Sequence, residues 1–182
     1  MILPAAGLGK VNRVYKIVDS PVGRLTLIAS EEGLCGMLFA SETPPVKYDL
    51  GKMKLAGQHP LLRAAEQQLE QYFQGKRKRF ELPLVMEGTA FQKQAWKVLQ
   101  GIPYGEVISY EEQATRLGDM HKARAVGAAN ARNPIAIIVP CHRVIGKKGS
   151  LTGFGGGLEV KRFLLEMECE KKVGPVKGRS LR

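Results

Sequence analysis

The sequence predicts an α+β protein, in which a small antiparallel sheet with one helix is followed by a helical C-terminal half. Three β-prone runs with turn residues between them lie within residues 13–39, and they predict the sheet. From about residue 86 onward, apolar residues recur at helical spacing behind Ser and Thr capping positions, and they predict the helices. The apolar content of 44% is that of an ordinary globular chain and argues against disorder throughout.

The N-terminal half contains three predicted strands and one predicted helix. The strands are residues 14–18, 25–29 and 34–39. Residues 41–57, with two adjacent prolines, predict a loop. Pro60 suits the first turn of a helix, whose apolar residues follow at helical spacing as far as Phe73. Gly75 ends this helix.

Two capping boxes mark the first helices of the C-terminal half. The box at Thr89 opens a helix with an apolar stripe to about residue 102, and the box at Ser109 opens a helix to about residue 117. A further helix is predicted from residue 121 to about residue 132, where a proline at position 134 halts it. Helix, short turn and helix form the layout of a helix-turn-helix DNA reader.

The second helix of this pair is rich in alanine and glycine. Small side chains allow a helix to approach DNA closely, but they equally allow close packing on protein, and the pattern alone leaves both open. Lys122, Arg124 and Arg132, with no acidic residue on the helix, favour DNA. A glycine-rich loop, residues 152–157, then leads into a predicted helix over residues 158–169. Residues 170–182 predict a flexible basic tail that adds weak, salt-sensitive DNA affinity.

The net charge and the cysteine count limit the possible partners and compartments. The formal net charge is +11 and the pI about 9.7, which favours a polyanion: nucleic acid first, an anionic membrane surface second. No apolar run approaches the ~20 residues that span a bilayer. Three cysteines without C-x-x-C spacing do not suggest a disulfide framework or a zinc finger, so a reducing compartment is expected.

Cys141 lies in the most one-sidedly positive segment of the chain. Residues 120–158 hold six Lys or Arg and no Asp or Glu. Nearby positive charge favours the thiolate over a thiol that otherwise titrates near ~8.5. His142 follows directly, and adjacent residues on an extended segment point to opposite sides, so a direct pair needs a bridging water or a bend. This weakens a protease-like interpretation, and no cluster has metal-ligand spacing.

Pro140-Cys141-His142-Arg143-Val144 resembles the active-site signature of the O6-alkylguanine-DNA alkyltransferases, also called methylated-DNA–protein-cysteine methyltransferases. The resemblance is strong over about residues 86–170 and looser in the N-terminal half, where residues 20–23 are typical of the family. Further segments at family spacing are residues 105–110, 123–127, 133–134, 156–158 and 164–165.

The resemblance implies a fold and an activity. The expected fold is a ribonuclease-H-like N-terminal domain over residues 1–85, followed over residues 86–182 by a helical domain with a winged helix-turn-helix. The expected activity is single-turnover repair, in which O6-alkylguanine, and also O4-alkylthymine, is flipped out of duplex DNA and its alkyl group is transferred irreversibly to Cys141. No cofactor and no metal are expected. The expected partner is double-stranded DNA, without a membrane, bound by a cytoplasmic monomer that associates with the nucleoid in a prokaryote.

The resemblance also implies roles for individual residues. The expected catalytic residues are Cys141, His142, Glu168, Tyr110 and Asn133. His142 would hold an activating water and Glu168 would orient the imidazole, with Glu166 as a competitor two positions away. Asn133 would act as the hinge before the nucleophile loop, and Arg143 would tie this loop to the domain. The expected DNA- and substrate-contacting residues are Lys122, Ala123, Arg124, Tyr110, Val144, Phe154 and Gly155.

Two positions depart from animal members of the family. Phe154 stands where tyrosine is common and Gly155 where some members carry serine, so the tolerance of bulky alkyl groups is open. A DNA-binding module without chemistry is the alternative function, and a cysteine hydrolase is the third. The presence of Cys141 argues against the module.

Overall fold

The computed structural model describes residues 12–40 and 48–172 of the 182-residue chain. Its N-terminal part is a four-stranded sheet whose strands are β1 (Val14–Val18), β2 (Leu25–Ala29), β3 (Leu34–Phe39) and β4 (Lys54–Leu55). The strand order is β3-β2-β1-β4. The first three strands pair antiparallel and coincide with the predicted ones, so the predicted sheet is confirmed.

Helix α1 (Pro60–Phe73) packs against this sheet. Its buried residues follow helical spacing, so they form one stripe towards the core: Leu62, Ala65, Leu69 and Tyr72. Gly75, with a φ of 74°, turns the chain out of the helix in a backbone conformation that glycine adopts easily. The predicted first helix is therefore confirmed at both ends.

The C-terminal part is helical, as predicted, with α2 (Ala90–Gln100), α3 (Tyr110–Arg116), α4 (Ala123–Asn130) and α5 (Leu158–Lys172). The Thr89 box is formed in both directions, because the backbone N–H of Gln92 donates to Thr89 Oγ1 and the backbone N–H of Thr89 donates to Gln92 Oε1. Ser109 caps α3 through the backbone N–H of Glu112. Helix α4 begins two residues later than predicted, because a 3₁₀ turn over Met120–Lys122 precedes it.

A buried polar network joins α2, α3 and α4. The amides of Gln113 and Asn130 exchange hydrogen bonds of 3.1 and 2.7 Å, and Gln113 also donates to the carbonyl of Ala95. Trp96 is buried and donates to the carbonyl of Ala129. Because every one of these groups has a partner, the network fixes how the two helices of the helix-turn-helix cross.

A short parallel pair of strands holds the reactive loop beside the helix-turn-helix. Strands β5 (Ile108–Ser109) and β6 (Val144–Ile145) pair with each other. A turn follows β6, closed by the hydrogen bond from the N–H of Gly146 to the carbonyl of Ser150. This strand pair places the residues after Cys141 next to the start of α3.

Two expectations about the backbone need correction. The predicted loop over residues 41–57 contains β4 and a 3₁₀ turn over Leu50–Lys52, while residues 41–47 lie outside the described residues. Helix α5 continues to Lys172, so residues 170–172 are not part of a tail, and residues 173–182 lie outside the described part.

The N-terminal sheet contacts the loop that leads to Cys141. The backbone N–H of Met37 in β3 donates to the carbonyl of Pro134, at the start of that loop. The residues of the main hydrophobic core come from both parts of the chain. Within the described ranges, the chain forms no helix with the length and apolar character that a membrane span requires.

Candidate active site

Cys141 begins a 3₁₀ turn over Cys141–Arg143 that ends at Val144, the first residue of β6. The sequence leaves a bridging water or a bend as the ways in which Cys141 and His142 can interact, and the structure has a bend here, the 3₁₀ turn. The run before it is buried and tightly turned, with hydrogen bonds from the N–H groups of Val139 and Cys141 to carbonyls four and two residues earlier. Cys141 itself is buried, with 8% of its surface exposed.

Asn133 holds both ends of this buried run. Its Nδ2 donates to the carbonyl of Val139 over 2.7 Å and lies 3.2 Å from Cys141 Sγ, and its Oδ1 accepts from the N–H of Ile135. A side-chain N–H aimed at sulfur stabilises the thiolate more than the thiol. The structure thus brings Asn133 to the sulfur itself, in addition to its place before Pro134.

His142 and Glu168 form a buried pair. Nε2 of His142 lies 2.9 Å from Oε1 of Glu168, and both residues are fully buried. The carboxylate accepts the Nε2 proton, so Nδ1 of the neutral ring carries the free lone pair. Nδ1 is itself buried and has no hydrogen-bond partner among residues 12–40 and 48–172. Glu166, the competing candidate, is exposed.

Three further groups hold the Glu168 carboxylate. Arg143 donates to both carboxylate oxygens over 2.9 Å and reaches the carbonyl of Ile102 with its remaining nitrogen. The hydroxyl of Tyr72 donates to Oε1 over 2.6 Å, and the backbone N–H of Gly105 donates to Oε2 over 3.0 Å. The fork of Arg143 thus ties the reactive turn to α5.

The pKa values within this network move in opposite directions. Burial alone would raise the pKa of Glu168, but the hydrogen bonds and charges of His142 and Arg143 outweigh burial and hold that pKa well below its usual range. Burial lowers the pKa of His142 despite the neighbouring carboxylate, and Arg143 and Lys161 lower it further. Burial, followed by the charge of Glu168, raises the pKa of Tyr72 well above its usual value. The network therefore holds an ionised carboxylate beside a neutral imidazole and a neutral phenol at neutral pH.

Lys161 is a further site residue that sequence reasoning missed. It is fully buried, and its Nζ donates to the carbonyls of Val144 and Thr152 over 2.7 and 2.8 Å. Burial lowers the pKa of Lys161, while the thiolate charge of Cys141 raises it. The signal was present in the sequence: Lys161, Leu164 and Glu168 recur at helical spacing and so share one face of α5.

The glycine-rich loop lies beside the start of α3 and next to His142. Tyr110, the first residue of α3, is half-buried, and its hydroxyl lies 3.4 Å from both the carbonyl and the hydroxyl oxygen of Thr152. Burial raises the pKa of Tyr110, so the phenol stays protonated. The Phe154 ring packs edge-on 6.4 Å from the His142 ring, and Gly155 is exposed. Tyr110 and Phe154 are thus next to the reactive turn.

Helix α4, the second helix of the helix-turn-helix, begins with small and basic side chains at its surface. Arg124 is exposed at the second position of α4, and no ion pair is found for its guanidinium among the described residues. Ala123 is half-buried, and Lys122 is exposed with Asp119 3.6 Å from its Nζ. One turn further along α4, Gly127 lies near the Tyr110 ring. Lys122 and Arg124 are thus open to solvent at the start of α4.

The donor set does not favour metal chemistry. In the described residues, no group of three or more His, Cys, Asp or Glu side chains is placed to hold a metal ion. What the site offers instead is a thiol beside a side-chain N–H donor, a neutral histidine with a free lone pair, and a buried lysine. Such a set can ionise a thiol and let it act as a nucleophile.

Comparisons with known proteins agree on one family. Residues 13–86 match the family model described as 6-O-methylguanine DNA methyltransferase, ribonuclease-like domain, and residues 90–170 match the DNA binding domain of the same name. A methylated-DNA–protein-cysteine methyltransferase of Methanosarcina barkeri is 46% identical over 154 residues, which cover 85% of this chain and 96% of that protein.

Solved structures lead to the same group. The crystal structure of the Mycobacterium tuberculosis O6-methylguanine methyltransferase is similar with a TM-score of 0.81 and 43% identity, covering 87% of this chain and 94% of that one. The Mycobacterium tuberculosis OGT in complex with DNA is similar with a TM-score of 0.78 and 44% identity, covering 86% and 93%.

Proposed function

The chain belongs to the 6-O-methylguanine DNA methyltransferase family, and we propose that Cys141 is the residue on which it accepts the alkyl group. The chain repairs alkylated DNA by moving the alkyl group to one of its own cysteines. Of its three cysteines, Cys35 is packed in a separate core cluster and Cys169 is exposed on α5. Cys141 alone begins the turn that carries His142, and the His142–Glu168 pair is the observation that carries this proposal.

The transfer is an in-line displacement at the alkyl carbon. The thiolate of Cys141 attacks this carbon, a C–S bond forms, and the bond between the carbon and O6 of guanine breaks with its electron pair staying on guanine. His142 takes the thiol proton at Nδ1 through one water molecule, while Glu168 holds Nε2 and stabilises the imidazolium that forms. Guanine takes up one proton, so the alkyl group and a proton exchange places overall. The thioether does not revert, so each molecule acts once.

Lys161 and Asn133 favour the thiolate before the reaction. The ammonium of Lys161 interacts with the charge of Cys141, and Nδ2 of Asn133 lies 3.2 Å from the sulfur. A positive charge and a hydrogen-bond donor each favour the thiolate over the thiol, so both contacts raise the fraction of Cys141 that is ionised. Both contacts act on the nucleophile and neither needs the substrate.

Double-stranded DNA binds against the helix-turn-helix. We assign Arg124 to the duplex stack, where it fills the space that the flipped base leaves, because it is exposed and unpaired near the start of α4. Flipping costs a few kcal/mol, and least for a lesion that already pairs badly. The flipped base is received beside Cys141 by Tyr110, Phe154, Gly155 and the backbone of Val144. The neighbouring phosphates are contacted by Ala123 and Lys122.

The two parts of the chain have different roles. Residues 1–85 form a supporting ribonuclease-like domain and residues 86–182 carry DNA binding and transfer, a division supported by family-model matches over residues 13–86 and 90–170. A DNA-repair protein works where the genome is, so we place it in the cytoplasm, associated with the nucleoid in a prokaryote.

Mass spectrometry tests the assignment of Cys141. The protein is incubated with duplex DNA that carries O6-methylguanine, or O6-benzylguanine, and is then digested. A fixed mass gain of one alkyl group on the Cys141 peptide, at most once per chain, is expected. Cys141→Ala should bind the DNA without gaining mass, whereas Cys169→Ala, which removes the exposed cysteine, should react as the unaltered chain does. Tight binding of the unaltered chain without any adduct, or repeated turnover, would refute the proposal.

A further inference from the structure

Phe39, the last residue of β3, lies directly behind the glycine-rich loop of the active site. Its ring is 4% exposed and packs edge-on against Phe154, with ring centroids 5.4 Å apart. A Cβ placed on Gly156 would come within 2.9 Å of the Phe39 ring. The loop backbone therefore rests on a side chain of the N-terminal sheet.

Within residues 12–40 and 48–172, backbone hydrogen bonds hold only the two ends of this loop. Its first residue, Thr152, is held by Lys161, and its end is closed by the hydrogen bond from the N–H of Gly157 to the carbonyl of Phe154. Between them the backbone is mostly glycine, which costs little to shift. The position of Phe154 therefore depends on what packs against its ring.

The Phe154 ring packs against two other rings. Its centroid lies 5.4 Å from that of Phe39 and 6.4 Å from that of His142, the residue next to Cys141. Phe154 thus links the N-terminal sheet to the reactive turn. If Phe39 becomes smaller, the Phe154 ring can move towards the sheet, and the space for the alkyl group beside Cys141 grows.

We propose that Phe39 is a positioning residue that sets the size of the alkyl group which the active site accepts. This inference rests on the proposed function, because it concerns the group transferred to Cys141. It assigns to the N-terminal domain a part in substrate selection, exerted through the contact of Phe39 with Phe154 and Gly156.

The first test compares transfer rates from methylated and benzylated duplex DNA to the full chain. Phe39→Leu should raise the ratio of benzyl to methyl rate by about tenfold, the lower end of what a methylene-sized change in a pocket produces. The matched control is Leu38→Ala, since Leu38 is the next residue along β3, is 6% exposed, and packs in the separate cluster on the other face of the sheet. This control removes buried packing from the same strand and should leave the ratio unchanged.

The second test begins with a substitution in the loop instead of the sheet. In Gly156→Ala the added Cβ meets the Phe39 ring, so the loop moves towards Cys141 and the benzyl rate should fall more than the methyl rate. Phe39→Leu in the same chain makes room for that Cβ and should restore the ratio. A ratio that stays within about twofold of the unaltered chain's in Phe39→Leu, or a Gly156→Ala defect that Phe39→Leu does not relieve, would overturn the inference. Loss of both transfers in the unaltered chain would instead overturn the assignment of Cys141.

Discussion

Replacing Glu168 by glutamine should lower the stability of the protein and also slow alkyl transfer to Cys141. The carboxylate accepts five hydrogen bonds, from Tyr72, Gly105, His142 and twice from Arg143. A glutamine at this position keeps the shape but removes the charge and turns an N–H₂ group towards donors. The guanidinium of Arg143, only 5% exposed, is then left without its counter-charge.

The expected size of the effect follows from that buried ion pair. Removing one partner of such a pair costs about 3–5 kcal/mol, because the other charge stays buried without compensation. For a chain of this length each kcal/mol lowers Tm by roughly 2–4 °C, so Glu168→Gln should lower Tm by roughly 6–20 °C. Calorimetry at pH 7 measures this. The matched control is Glu166→Gln, two residues away on the exposed face of α5, which should change stability by less than about 0.5 kcal/mol.

The pH dependence of the same variant provides a second check. The pKa of Glu168 is held below its ordinary value, so its contribution to stability is complete above the unfolded-state value of about 4.3 and is lost as pH falls through the folded-state pKa. The difference in unfolding free energy between the unaltered chain and Glu168→Gln should therefore be constant from pH 7 to about 5 and shrink only in stronger acid. Equal stabilities of Glu168→Gln and Glu166→Gln at pH 7 would show that the Glu168 carboxylate is not the counter-charge that Arg143 needs.

Three further outcomes are expected. Arg124→Ala should slow repair in duplex DNA by about tenfold or more, because flipping the base costs a few kcal/mol, but should leave transfer from free O6-benzylguanine unchanged. Equal losses in both assays would rule out a role of Arg124 in the duplex. The control is Arg63→Ala, on α1. Lys161→Met removes the buried positive charge that favours the Cys141 thiolate and should slow transfer to Cys141 by about tenfold. Arg162→Met, on the exposed face of α5, should leave the rate unchanged; quenched single-turnover kinetics measure both. Because burial lowers the pKa of His142, the imidazole stays neutral as pH falls through the ordinary histidine range. The ring signals of His142 in NMR spectra, identified by their loss in His142→Asn, should therefore not titrate near about 6.5, and a titration there would contradict the neutral ring.

Local sequence signals predicted most of the fold. The three antiparallel strands were bounded by turn residues, and the helices began at capping residues whose hydrogen bonds the structure contains. The failures arose where distant contacts decide the conformation. Strand β4 exists because it pairs with β1, and a two-residue strand carries no pattern of its own. The 3₁₀ turn at Cys141 is equally short and has no periodic pattern of its own.

The site was predicted unevenly for a similar reason. The Cys141 segment and Glu168 were found through a family motif and its spacing, and the structure brings them together through His142 and Arg143. Tyr72 was interpreted as a core residue of α1, and its hydrogen bond to Glu168 spans 96 residues of chain, a distance that no local pattern encodes. The hydrogen bond from Gly105 to Glu168 comes from a backbone N–H, which every residue except proline has, so the residue type does not predict it.

The hydrogen bond from Tyr72 to Glu168 requires that α1 and α5, which are encoded far apart in the gene, stay compatible with each other. A chimaera that takes its C-terminal half from a relative combines the Glu168 carboxylate of one parent with the Tyr72 phenol of the other. Any mismatch in their positions would disturb the His142 imidazole, which the carboxylate holds. Chimaeras that inherit α1 and α5 from one parent should therefore stay active more often than chimaeras that take them from two.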